Sequence, residues 1–126
     1  MRCVLRAYIE ATEAAGAGRA RSLFHADARM SGDLGTGART GSPESFFQAL
    51  ANATTRPGQG GYEASLDSIS AMGDTATGNV IEKNLFGYTF TNRFHLIKLS
   101  GRWQIVSKLF YSAGPARQSS ESKRKP

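Results

Sequence analysis

Several things this sequence has little of narrow the field before any motif is considered. It holds one cysteine, Cys3, in 126 residues, so no disulfide can close within the chain and no thiolate metal site can be assembled from it alone. Such usage suits a reducing compartment, and the cytoplasm is the expected location. Long apolar runs are also missing. No stretch approaches the roughly 20 residues of a membrane span. The opening residues 1–11, interrupted by Arg2, Arg6 and Glu10, lack the apolar run of about 7–15 residues that a secretory signal needs. Without that route the triplet Asn52-Ala53-Thr54 reads as a chance glycosylation acceptor. Histidine is scarce: His25 and His95 stand on separate segments with no acidic cluster beside either. No metal site is expected.

Positive charge is in excess, at +6, but its distribution matters more than its size. Half of it sits in residues 117–126, where Arg117, Lys123, Arg124 and Lys125 outweigh Glu121. Residues 113–126 accordingly read as a disordered basic tail. The rest is scattered, with no stripe of the kind a phosphate backbone requires. Neither a nucleic acid nor a membrane is an expected partner.

Residues 1–112 read as one domain, large enough to bury about two-thirds of its surface without staples. Val4, Tyr8, Ala11 and Ala15, flanked by Leu5 and Ile9, recur at helical spacing and predict an amphipathic first helix that stops near Gly16 and Gly18. A short second helix is expected from Arg19 to about Phe24. Alternation through Ala28, Met30 and Gly32 suggests a brief strand, and Gly32, Gly35, Gly37 and Gly41 suggest a long mobile loop after it. Ser42-Pro43-Glu44 is a helix start, and Phe46, Phe47 and Leu50 form that helix's buried stripe.

Beyond the loop at 57–61 the pattern becomes extended. Four strands are expected over Tyr62–Met72, Thr75–Leu85, Tyr88–Leu99 and Arg102–Tyr111, joined by tight turns. Leu66 and Ile69 fall on opposite phases, so a bulge is expected between them. Helices first and strands last indicate an α+β domain, with the N-terminal helices packed on a strongly curved, mostly antiparallel sheet.

These pieces resemble the nuclear-transport-factor-2-like superfamily, and within it the lumazine-binding-like and polyketide-cyclase-like (SnoaL-like) proteins. The resemblance is carried by Tyr8-Ile9-Glu10, by Leu23-Phe24-His25-Ala26-Asp27-Ala28, by Gly41-Ser42-Pro43-Glu44, and most specifically by the hairpin from Phe94 to Lys108. It implies a cone-shaped α+β barrel around an apolar pocket, often in homodimers. The stretch around Tyr8 also resembles the ketosteroid isomerases, whose oxyanion-binding tyrosine matches Tyr8. Their general base falls on Gly32, with Asp33 one place beyond, and their second oxyanion acid falls near Phe94. The scaffold is thus matched better than the chemistry, and steroid isomerisation is not expected.

The resemblance turns particular strand faces into the cone. Phe90, Asn92, Phe94 and Leu96 share one face of their strand, and Val106, Lys108 and Phe110 share one face of the next. A lysine and an amide among phenylalanines suit a small-ligand site. The candidate catalytic groups are Tyr8, His25, Asn92 and Lys108, with Phe24, Met30, Phe46, Phe90, Phe94, Leu96, Val106 and Phe110 shaping the substrate. Each has a structural alternative. Lys108 can reach solvent or pair with a carboxylate such as Asp27, His25 can bond to the backbone, and Tyr8 can be core with one satisfied hydroxyl. Trp103, Ile105 and Leu109 would form an apolar outer face, for which a second copy of the chain is the expected partner.

The glycines of Gly35-Thr36-Gly37-Ala38-Arg39-Thr40-Gly41 have the wrong spacing for a dinucleotide loop, and no alternating strand–helix pattern surrounds them, so no cofactor is expected. The leading expectation is a cofactor-free isomerase, cyclase or dehydratase (a lyase) acting on a small apolar carbonyl or polyene compound by acid/base chemistry. The alternative is a non-catalytic ligand-binding or dimerisation module.

Overall fold

A computed structural model of the protein describes residues 1–115. The first helix, α1 (Arg2–Glu13), buries Leu5, Tyr8, Ala11 and Thr12, which lie three and four residues apart along one stripe. A short α2 (Ala17–Ser22) follows, ending before Phe24 because that residue already opens the first strand. The strands are β1 (Phe24–Asp33), β2 (Ala38–Gly41), β3 (Glu63–Met72), β4 (Thr75–Leu85), β5 (Tyr88–Leu99) and β6 (Arg102–Tyr111). Between β2 and β3 lies α3 (Glu44–Ala51), with Phe46, Phe47 and Leu50 buried. Its entry differs slightly from expectation: Pro43 is the cap residue, while Ser42 Oγ accepts the Glu44 N–H at 3.2 Å.

The expected long loop is replaced by a hairpin. Asp33 Oδ1 accepts the N–H groups of Gly35 and Gly37 at 2.7 and 3.1 Å, and β2 folds back to pair antiparallel with β1. Gly32 serves close packing rather than mobility, since a Cβ there would stand 2.3 Å from the Phe110 carbonyl oxygen. The six strands form one sheet in the order β2-β1-β6-β5-β4-β3. Only the β1–β6 pairing is parallel. The sheet stays open between its β2 and β3 edges and is not a closed barrel. The helices pack on it as an α+β domain.

Bulges bend this sheet and reset which residues face inward. One lies between Asp67 and Ser70 of β3, where Ser68 adopts a φ of 54°, as the phase change from Leu66 to Ile69 suggests. Another lies in β6: His95 pairs with Ser107 while Leu96 pairs with Ile105, which leaves Val106 as the extra residue. Inward positions therefore run through Ile105 and then Lys108 and Phe110. This corrects the face drawn from simple alternation. Ile105 is fully buried, Trp103 is half-buried against the core, and Val106 leaves the inner face. Pro115 bridges to Tyr88. Of the tail expected over 113–126, residues 113–115 are described and the remainder lies outside the described residues.

Candidate functional site: a lysine cavity backed by a buried carboxylate

The inner phase of β4 runs Ala76, Val80 and Glu82, all buried, and brings a carboxylate into the core. Three donors meet it. Tyr8 of α1 donates its hydroxyl to Oε1 at 3.2 Å, Tyr62 donates to Oε2 at 2.7 Å, and Asn92 Nδ2 donates to Oε1 at 2.7 Å. Asn92 Nδ2 also donates to the Val80 carbonyl at 3.1 Å. A carboxylate that only accepts is matched here by groups that donate. Asn92 Oδ1 is buried and has no hydrogen-bond partner among the described residues. Burial, and next the adjacent Glu82 charge, push both tyrosine hydroxyls well above their ordinary range. They stay neutral donors across physiological pH.

Lys108 lies on the same side of the sheet, opposite Phe94 in the β5–β6 register. It is 4% exposed, and its Nζ stands 3.8 Å from the Phe46 ring centroid and 5.1 Å from that of Tyr8. Among the described residues it forms no salt bridge, and it stands over two aromatic faces. A protonated amine gains from those faces, but not enough to replace water. Burial pulls its pKa from the usual 10.5 down to about 8, against the opposing attraction of Glu82. Near pH 7 that leaves a larger neutral, nucleophilic fraction than an ordinary lysine has.

Lys108 opens on a cavity of about 220 Å³ whose walls include Met30, Phe46, Leu85, Phe90 and Phe110, with Arg39 and Ser45 also on it. That is smaller than the roughly 300–1,000 Å³ of drug-sized pockets, and the walls are mostly apolar. Of the four candidate catalytic residues, Lys108 alone lines this cavity. Tyr8 and Asn92 belong to the polar cluster around Glu82. His25 is elsewhere: its Nδ1 accepts the Asp27 N–H at 3.0 Å, a local backbone contact, and it does not line the cavity.

The expected substrate-shaping residues divide in the same way. Met30, Phe46, Phe90 and Phe110 line the cavity. Phe94 and Leu96 are core, Phe94 packing edge-on to Tyr8 at 4.9 Å, and Phe24 packs against Phe47 at 5.2 Å. Val106 lines a separate hollow with Thr77 and His95 because of the bulge. The sequence reading passes over Glu82. Its signal was the period-2 run Ala76, Gly78, Val80, Glu82, in which a carboxylate takes the phase of small apolar residues.

Among the described residues, no helix is long and apolar enough to cross a membrane, and no group of three or more His, Cys, Asp and Glu side chains is placed to hold a metal ion.

Fold and cavity together define a small-molecule-binding NTF2-like protein. Residues 1–111 match the family described as "Putative lumazine-binding", and the chain belongs to that family. It is 32% identical over 106 residues to aldolase FrzH of Cladobotryum sp., covering 83% of this chain and 82% of that protein. Among solved structures it is similar to an NTF2-like protein of unknown function from Shewanella baltica OS155, with TM-score 0.78 and 25% identity over 88% of this chain and 89% of the other. A second, from Methylobacillus flagellatus KT, gives TM-score 0.76 and 26% identity over 88% and 87%.

Proposed function

We propose that the protein is a cofactor-free enzyme that moves protons at the carbon next to the carbonyl group of a small, mostly apolar substrate. One observation carries this reading: an amine without a hydrogen-bonding protein partner among the described residues, held at the wall of an apolar cavity. As an ammonium, Lys108 donates a hydrogen bond to a substrate carbonyl and stabilises the enolate oxygen as the neighbouring C–H bond gives up its proton to a water molecule. Phe46, Phe90 and Phe110 hold the apolar body of the substrate, and exclusion of water strengthens the Lys108 contact. Isomerisation, cyclisation, dehydration and aldol carbon–carbon bond formation all pass through such an enolate. The aldolase name of the 32% identical relative supports the last of these.

A second reading, a non-catalytic ligand-binding module, is favoured by one observation. Tyr8, Asn92 and Glu82 are bonded to one another and do not line the cavity, so Lys108 is left without a carboxylate base on the same wall. The family description, with its reference to lumazine, fits this reading too. We further propose that a second copy covers the outer sheet, where Leu109 and Tyr111 of β6 are exposed.

Deuterium exchange separates the two readings. The protein is incubated in heavy water with a panel of small apolar aldehydes and ketones, and α-carbon deuteration is followed by NMR. Catalysed exchange, lost in Lys108→Met, is expected. No exchange above buffer, together with a native mass spectrum showing a bound, chemically unchanged ligand, would establish the binding module instead. The same spectrum gives the subunit count.

A further inference from the structure

We propose that Lys108 is a covalent nucleophile, which forms an iminium ion with an aldehyde or ketone carrying an α-hydrogen. This rests on the carbonyl chemistry proposed above and deepens it, because it limits the substrate to carbonyl groups that condense with a primary amine and excludes esters, amides and simple polyenes. The Nζ atom stands over the rings of Phe46 and Tyr8 at the wall of a cavity whose lining is mostly apolar, and no acceptor among the described residues ties it down by a salt bridge. A lysine desolvated in an apolar pocket is the activated form of this nucleophile. Burial, which holds its pKa at about 8, keeps part of the amine neutral near pH 7.

The chemistry closes without a co-reactant. The nitrogen lone pair attacks the carbonyl carbon, the C=O π electrons move to oxygen, and that oxygen takes a proton to give a carbinolamine. A further proton on the hydroxyl lets it leave as water while the C=N bond forms. Starting from the ammonium, one carbonyl compound and one lysine give one iminium ion and one water. Loss of the α-proton to a water molecule then sends its electron pair toward nitrogen and leaves a neutral enamine. The protonated iminium nitrogen carries a positive charge, and an apolar cavity alone would favour loss of its proton to leave the neutral imine. Glu82, whose charge already acts on Lys108, opposes that loss from beneath the cavity. The polar cluster thus has a use without touching substrate: it places a fixed negative charge where the cation forms. Around Lys108 the ionisable groups are Glu82 from β4, Tyr8 from α1 and Arg39 from β2.

Four larger hollows, of about 460, 520, 510 and 390 Å³, lie elsewhere among the described residues, around Asn52–Pro57, Asp33 with Arg93, Val106, and Thr91 with Tyr111 respectively. None is lined by a buried ionisable side chain, and none suggests a comparable reaction.

The test is reductive trapping. The intact protein is incubated with benzaldehyde, which has no α-hydrogen and stops at the iminium, or with cyclohexanone, in the presence of cyanoborohydride, and lysine-containing peptides are mapped by mass spectrometry. The exposed Lys83 and Lys98 are internal controls. We expect Lys108 to be alkylated at least tenfold faster than either control, with a rate that rises through pH 8. Lys108→Met should remove that labelling only, and if this variant does not fold, the wild-type peptide map decides alone. Labelling of Lys108 no faster than the controls overturns the iminium. If α-deuteration of cyclohexanone still depends on Lys108 in that case, the acid/base reading stands without it. If neither labelling nor exchange occurs, both are overturned.

Discussion

Two polar regions lie side by side under the helices, and they are built by opposite rules. Around Glu82 the carboxylate is matched: two hydroxyls and an amide converge on it at 2.7–3.2 Å, and Asn92 Oδ1 alone in the cluster has no partner among the described residues. At Lys108 nothing is matched, and the amine faces aromatic rings and a cavity. A buried carboxylate with its donors in place stabilises and specifies a fold. An unsatisfied buried amine destabilises it, and such a cost is characteristic of functional sites. The comparison assigns structure to one region and chemistry to the other, although a few ångströms of aromatic ring separate them.

That assignment can be broken by substitution. The largest stability loss is expected for Glu82→Gln. The amide keeps one acceptor but adds a donor where three donors already point, and it removes the charge that offsets Lys108. A destabilisation of about 2–4 kcal/mol is expected in urea unfolding. A loss under 1 kcal/mol would show that the cluster is not the anchor described.

Lys108→Met is expected to act in the opposite direction. Its folded pKa near 8 lies below the usual 10.5, so between those values the unfolded chain binds more protons and stability rises with pH. The penalty is complete below about pH 8 and gone above about 10.5. The variant should therefore be more stable than wild type by about 1–3 kcal/mol at pH 7, with the gain fading as pH climbs through that window. A pH-independent difference, or a loss of stability, would contradict a desolvated cation. The smallest effect is expected for His25→Ala. Its imidazole contacts only a nearby backbone N–H, so stability should change by about 0.5 kcal/mol or less, and α-carbon exchange not at all. A tenfold fall in exchange would restore His25 to the site.

Much of this arrangement was legible in the residues, and the failures have physical causes. Strands β4, β5 and β6 begin and end where the turn residues place them, and β4 alternates as far as Glu82 because one face meets the helices and the other does not. The parallel pairing of β1 with β6 leaves no local mark, since it joins segments some eighty residues apart. Alternation failed at Val106, because a bulge inverts every side chain after it, so Ile105 went inward and Val106 outward. Glycine misled at 32 and 35, where close packing and a hairpin were read as mobility. Lys108 was found through its phase on β6. Its partner in charge was missed because the inward phase of β4 was not followed as far as Glu82. A carboxylate there has meaning only once Tyr8, Tyr62 and Asn92, from three distant segments, are seen to meet it.

The measurement that bears most directly on the central claim is an NMR titration of the protein labelled with ¹³C at the lysine ε-carbons. One resonance, absent in Lys108→Met, is expected to titrate near pH 8 and to shift when cyclohexanone fills the cavity. If no such resonance titrates near pH 8 and none responds to the ketone, Lys108 is an ordinary solvated amine and the proposed chemistry has no seat in this fold.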